Sequence, residues 1–134
     1  MNTESPRVTD PGEPTTLTFR ELRAANVMRC QRWHGPESEP WNGADWSNAM
    51  CGEAGETANV VKKLRRGETG ARNDDDPTRA ELLAALGAEI ADTVTYLDLL
   101  AAHYDIDVPA AVVAKFNAVS ERYGFPERIG SCDG

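Results

Sequence analysis

Residues 46–64 read WSNAMCGEAGETANVVKKL, and residues 82–100 read LLAALGAEIADTVTYLDLL. Wound at about 100° per residue with Glu53 as origin, the first places Trp46 and Leu64 about 20° to one side and Val60 about 20° to the other. Met50 follows at about 60°, so Glu53 occupies the middle of an apolar stripe and Glu56 lies about 60° off it. In the second stretch, with Glu89 as origin, Leu82, Tyr96 and Leu100 fall within about 20°, while Leu86 and Asp92 each lie about 60° away. Two helices therefore direct acidic pairs at i, i+3 toward the interior of a bundle.

Ionised carboxylates are costly there. At ~5 Å and an effective dielectric of ~20, two like charges repel by roughly 3 kcal/mol. Four converging acids would cost an amount comparable with the whole stability of a small domain, about 5 to 15 kcal/mol. Either they are protonated or a cation sits between them. A site of carboxylates without His or Cys suits a hard ion, Mg²⁺ or Mn²⁺. A ferritin-like di-iron site needs Glu-x-x-His, and neither His34 nor His103 follows a candidate Glu at that spacing. Magnesium keeps waters and shares its shell with phosphates, which points to nucleotide or phosphate-ester chemistry. No Gly-x-x-x-x-Gly-Lys-Ser/Thr loop occurs, which excludes a P-loop NTPase. The competing reading, four solvated helix acids, sits poorly with their apolar flanks.

Upstream of these stretches, Thr18 with Glu21 three residues on predicts a first helix over residues 18–33, and the Gly and Pro residues of 34–43 break it. Asp45 is the expected N-cap of the second helix, which ends near Gly67. Residues 67–77, polar with a run of three Asp, read as a mobile insertion loop. Pro77 opens a third helix over residues 77–104. Asp107 and Pro109 start a fourth that reaches Tyr123 and stops at Gly124 and Pro126. No stretch alternates with period two long enough to be a strand. The fold class is all-α, a four-helix bundle over residues 17–124, between a flexible N-terminal tail (residues 1–16) and a C-terminal tail (residues 125–134).

The length of 134 residues suits a single core and rules out two. With 14 Lys and Arg against 22 Asp and Glu, the net charge of −8 disfavours a nucleic-acid polymer or an anionic membrane as partner. No apolar run approaches the roughly 18 residues of a membrane span, and no signal peptide is recognisable. Cys30, Cys51 and Cys132 show neither CxxC nor Cys/His spacing, which argues against a disulfide framework and a zinc site and for a soluble, cytoplasmic protein.

Gly52-Glu53-Ala54-Gly55-Glu56, followed by Asn59, Lys62-Lys63-Leu64 and Glu89-Ile90-Ala91-Asp92, resembles the ExxE…ExxD signature of the MazG-like all-α NTP pyrophosphohydrolases. Lys115-Phe116-Asn117 through Ser120-Glu121-Arg122-Tyr123-Gly124 resembles that superfamily's last helix, so the likeness covers roughly residues 46–124. Two features depart from the pattern. Gly52 stands where the frequent EExxE form has its first acid, which bears on the metal count, and the gap between Glu56 and Glu89 is longer than usual. The resemblance implies a MazG fold and Mg²⁺-dependent cleavage between the α and β phosphates of a nucleoside triphosphate, giving the monophosphate and pyrophosphate. Glu53, Glu56, Glu89 and Asp92 are then the metal ligands, with Mn²⁺ as a substitute ion. Catalysis falls to Glu56, with Glu53 beside it, acting on the attacking water.

Lys63 lies on the Glu56 side of the second helix, and Lys115 and Arg122 lie within about 20° of each other on the fourth. All three are candidates for phosphate oxygens that the metal leaves uncovered. Asn117 is a candidate for phosphate or sugar; each of these residues also reads as an ordinary surface group. Trp33, Trp41 and Trp46 flank the first connection, and Trp46 is either a base-stacking ring or a core side chain. Cys51 reads as a small buried residue, and His34 as loop structure. Relatives of this kind assemble, so a homodimer or homotetramer is expected, with the site completed by a second chain. Two further readings stay open: an alarmone (guanosine polyphosphate) hydrolase, and a non-catalytic nucleotide- or metal-binding helical module.

Overall fold

A computed structural model describes residues 15–130. Most of the expected N-terminal tail, and Cys132 with the end of the C-terminal tail, lie outside the described residues. Four helices follow one another: α1 Phe19–His34, α2 Gly43–Glu68, α3 Arg79–His103 and α4 Val108–Tyr123. No strand occurs among the described residues, so the chain is all-α as expected.

Each helix starts where a short polar side chain satisfies the orphan amides of the first turn. At α1, Thr18 Oγ1 accepts from the Glu21 amide, and the Glu21 carboxylate accepts in return from the Thr18 amide at 2.9 Å. At α2 the cap is Asn42, three residues before the expected Asp45. Asn42 Oδ1 accepts from the Ala44 and Asp45 amides, and Asp45 closes a capping box onto the Asn42 amide at 2.9 Å. Asp45 is thus the reciprocal partner within the first turn. The start of α3 differs in the same way: Thr78 caps and Glu81 reciprocates, leaving Pro77 just outside the helix. Asp107 caps α4 as expected, and Gly124, left-handed at φ 72°, ends it. The connection over residues 69–78 is tied internally, with the Asp76 carboxylate accepting from the Asn73 amide at 2.8 Å.

Val60 and Leu64 of α2 pack on Leu82 of α3, flanked by Ala85 and Leu86, and form the centre of the core. α2 and α3 run against each other along their length, and α1 packs on α3. α4 touches the other helices only sparsely. An apolar groove of about 580 Å³ runs between it and α3, lined by Met50, Leu97, Leu100, Ile106, Val112 and Phe116 among others. Val112, Phe116, Val119 and Tyr123 remain exposed on α4. Among the described residues no helix is long and apolar enough to cross a membrane.

Candidate active site

α2 and α3 approach closely at Thr57 and Thr93, whose hydroxyls lie 3.4 Å apart. Each hydroxyl donates to the carbonyl four residues back, Thr57 to Glu53 at 3.0 Å and Thr93 to Glu89 at 2.9 Å, so neither needs a further partner in the narrow seam. One turn before these threonines the two glutamates face the same space. Carboxylate oxygens of Glu53, Glu89 and Asp92 all lie within 4.8 Å of one another. Glu53 and Glu89 are half-buried and Asp92 is exposed. Partial burial, then the charges of Asp92, Glu89 and Glu56, raise the Glu53 carboxyl above the usual range. Among the described residues no Lys or Arg forms an ion pair with the cluster. The donor set is three carboxylates converging without nitrogen or sulfur, which fits a hard divalent cation. Glu56, one turn beyond Glu53, is exposed and stands outside the tight group, near enough to act on Glu53 by its charge.

Glu53 and Asp92 also border a cleft of about 490 Å³ whose other walls come from α1, the end of the first connection and α3. Its far side is aromatic. The rings of Trp41 and Trp46 are 4.6 Å apart, His34 meets Trp41 edge-on at 5.2 Å, and Tyr96 lies 6.4 Å from Trp46. Trp46 is buried, at 7% exposure, as the core reading expects, and its ring also forms part of the cleft wall. His34 closes α1 and belongs to this wall, where the sequence suggested loop structure. Cys51, expected to be buried, is exposed: it lies about 160° around α2 from Glu53, on the outer face. Cys30 is the thiol that faces the cleft, and burial pushes its pKa up.

The other expected substrate contacts do not line this cleft. Lys63 is half-buried and lies about 15 Å along α2 from Glu53, an axial distance that angular reasoning ignores. Lys115 borders the apolar groove instead. Arg122 stacks over the Tyr123 ring at 5.5 Å. The Asn117 amide is engaged on both sides by Ile129, donating to its carbonyl at 3.0 Å and accepting from its amide at 2.9 Å, which folds residues 125–130 back along α4.

Sequence reasoning missed a buried polar group beneath the cleft. Asp98, 1% exposed, accepts from Arg23 Nε at 2.8 Å and from the Asn26 amide at 3.3 Å, and so ties α1 to α3. The only signal in the sequence is an acid within an otherwise apolar run, Leu97-Asp98-Leu99-Leu100.

Fold and site together define an all-helical protein with a cluster of three carboxylates, a donor set suited to a divalent cation, at the edge of an aromatic cleft. In sequence the chain is similar to dCTP pyrophosphatase 1 of Homo sapiens, 36% identical over 113 residues that make up 83% of this chain and 60% of the relative. It is also similar to dCTP pyrophosphatase 1 of Rattus norvegicus and of Mus musculus, each 35% identical over the same shares. The chain thus spans about 60% of the length of the curated relatives it matches. No protein-family model matches it.

Proposed function

We propose that the chain is a MazG-like nucleoside triphosphate pyrophosphohydrolase, dependent on Mg²⁺, that limits a nucleotide pool in the cytoplasm. The observation that carries this reading is the placement of Glu53, Glu89 and Asp92 within 4.8 Å of one another at the edge of an aromatic cleft. The likeness to dCTP pyrophosphatases supports it and makes dCTP the first substrate to try.

Glu53, Glu89 and Asp92 would hold the ion, which would supply positive charge to offset the negative charge of the triphosphate and of the departing pyrophosphate. Trp41, Trp46 and Tyr96 shelter the base against their ring faces. Glu56, exposed beside Glu53, accepts a proton from water as its oxygen bonds to the α-phosphorus. The bond from that phosphorus to the bridging oxygen breaks, and pyrophosphate leaves with the bonding electrons. Lys115 and Arg122 lie away from the cleft of their own chain. In the homodimer or homotetramer we propose, a second copy covers α4 and brings these cations toward a neighbouring site, consistent with the exposed apolar face of that helix.

The test is product analysis with Mg²⁺ over a panel of ribo- and deoxynucleoside triphosphates. Nucleoside monophosphate with equimolar pyrophosphate is expected, lost in Glu53→Gln. A diphosphate with inorganic phosphate, or activity retained in the variant, would contradict the reading. Nucleotide binding without turnover would favour the non-catalytic module.

A further inference from the structure

Asn26 is almost wholly buried, at 3% exposure, and its orientation is dictated from α3. Its side-chain amide donates to the Thr95 carbonyl at 2.9 Å and to Asp98 Oδ2 at 3.3 Å. Both donors of that nitrogen are committed, so Oδ1 is fixed as the atom turned the other way. Asp98 is held in turn by Arg23, whose Nε donates to Asp98 and whose Nη2 donates to the Ile106 carbonyl at 3.1 Å. One turn along α1, Arg29 Nη2 donates to the fixed Asn26 Oδ1 at 3.4 Å. Arg29 borders the same cleft as Glu53 and Asp92 and is the only Lys or Arg among its lining residues. It is exposed, and among the described residues it pairs with neither carboxylate.

We propose that Arg29 binds the phosphate chain of the substrate, oriented by Asn26, which the buried Asp98–Arg23 pair holds in place. The proposal rests on reading the cleft as a polyphosphate site. Three carboxylates around one divalent cation keep a net negative charge, so a triphosphate entering the cleft needs positive charge that the metal centre does not supply. A guanidinium is permanently charged and presents donors only, in a planar fork that matches phosphate oxygens. Arg29 meets no carboxylate of its own cleft, and a phosphate chain lying between it and the acidic cluster would satisfy both. Asn26 is a positioning residue: its oxygen engages one guanidinium nitrogen and leaves the rest of the fork for the ligand.

The experiment compares equilibrium binding of dCTP and of deoxycytidine, which carries no phosphate, to the full chain and to Arg29→Ala, with Ca²⁺ present to slow turnover. Circular dichroism checks that the variant keeps its helices. Arg29→Ala is expected to weaken dCTP binding about 10- to 100-fold, the range of a charge-assisted contact, and to leave deoxycytidine binding unchanged. Arg29→Lys should fall between, since it keeps the charge and loses the fork. Equal weakening of both ligands would assign Arg29 to base or sugar and overturn the proposal, as would unchanged dCTP binding. In a double-mutant cycle, Asn26→Ala should weaken dCTP binding in the wild-type background and add little in Arg29→Ala. Additive effects would overturn the positioning role. If wild-type protein binds dCTP in this Arg29-dependent way but releases no pyrophosphate with Mg²⁺, the hydrolase reading fails while the Arg29 assignment stands. If wild-type protein binds no dCTP, both fail.

Discussion

Glu53 carries the electrostatic tension of the site. Its carboxyl is held above the usual 4.5 by partial burial first and by Asp92, Glu89 and Glu56 next. The unfolded chain titrates at the ordinary value, so between that value and the raised one the folded protein holds more protons than the unfolded. Stability of the metal-free protein therefore falls as pH rises through this window. In chelator, thermal melting is expected to be higher near pH 5 than at pH 7, and Glu53→Gln should flatten that dependence and raise the neutral-pH midpoint. A Glu53→Gln profile that tracks the wild type would show that the cluster is not strained. Asp98 is buried with both oxygens hydrogen-bonded, and Asp98→Ala strands the Arg23 and Asn26 donors, at a cost of about 2 to 3 kcal/mol in urea unfolding. A loss below about 0.5 kcal/mol would mean that these donors find water instead. The two acids also show what a single sequence discloses. Glu53 and Glu89 were legible because each interrupts an apolar stripe at helical spacing. Asp98 lies about 180° around α3 from Glu89, on what stripe analysis treats as the outer face, and its partner Arg23 is 75 positions away in the chain. Only tertiary packing brings the two together.

At the scale of elements, all four helices were readable, and the starts of α2 and α3 were the weak point. Asn42 and Asp45 are both good capping residues, and the choice between them depends on which backbone is extended as α2 begins. The three-residue shift that follows has a packing consequence. Gly43 becomes the first residue of α2 and lies buried against the ring of Tyr104, just past the end of α3. A methyl group there would overlap the phenol. Because Tyr104 is exposed and its ring can swing aside, Gly43→Ala is expected to cost no more than about 1 kcal/mol of stability, although Ala is otherwise the better helix former. Tyr104→Ala should remove most of that penalty in the double variant, and additive losses would show that the contact is not the cause. The expected Lys63 contact failed to join the cleft for a different reason: winding angles order residues around a helix and say nothing about distance along it.

For the whole molecule, α1, α2 and α3 form the cleft and α2 and α3 the carboxylate cluster, while α4 stands apart with an apolar face and groove in solvent. Neither the sparse docking of α4 nor the separation of Lys115 from the acids could be read from one chain's periodicity, because an apolar stripe looks the same whichever surface it faces. A second copy of the chain is the occupant we expect. Sedimentation should then give a dimer or tetramer, and Phe116→Asp, which places a charge in that groove, should shift it toward monomer without loss of helix. A wild-type monomer at all concentrations would refute this. The central claim is that Glu53, Glu89 and Asp92 together hold a divalent cation, and the most direct measurement is titration of the protein with Mn²⁺ while the signal of free aqueous Mn²⁺ is followed by electron paramagnetic resonance. The wild type should remove Mn²⁺ from solution saturably, with competition by Mg²⁺, and Glu89→Gln should weaken uptake at least tenfold. Uptake unchanged in Glu89→Gln would contradict the claim, because the ion would then be bound elsewhere.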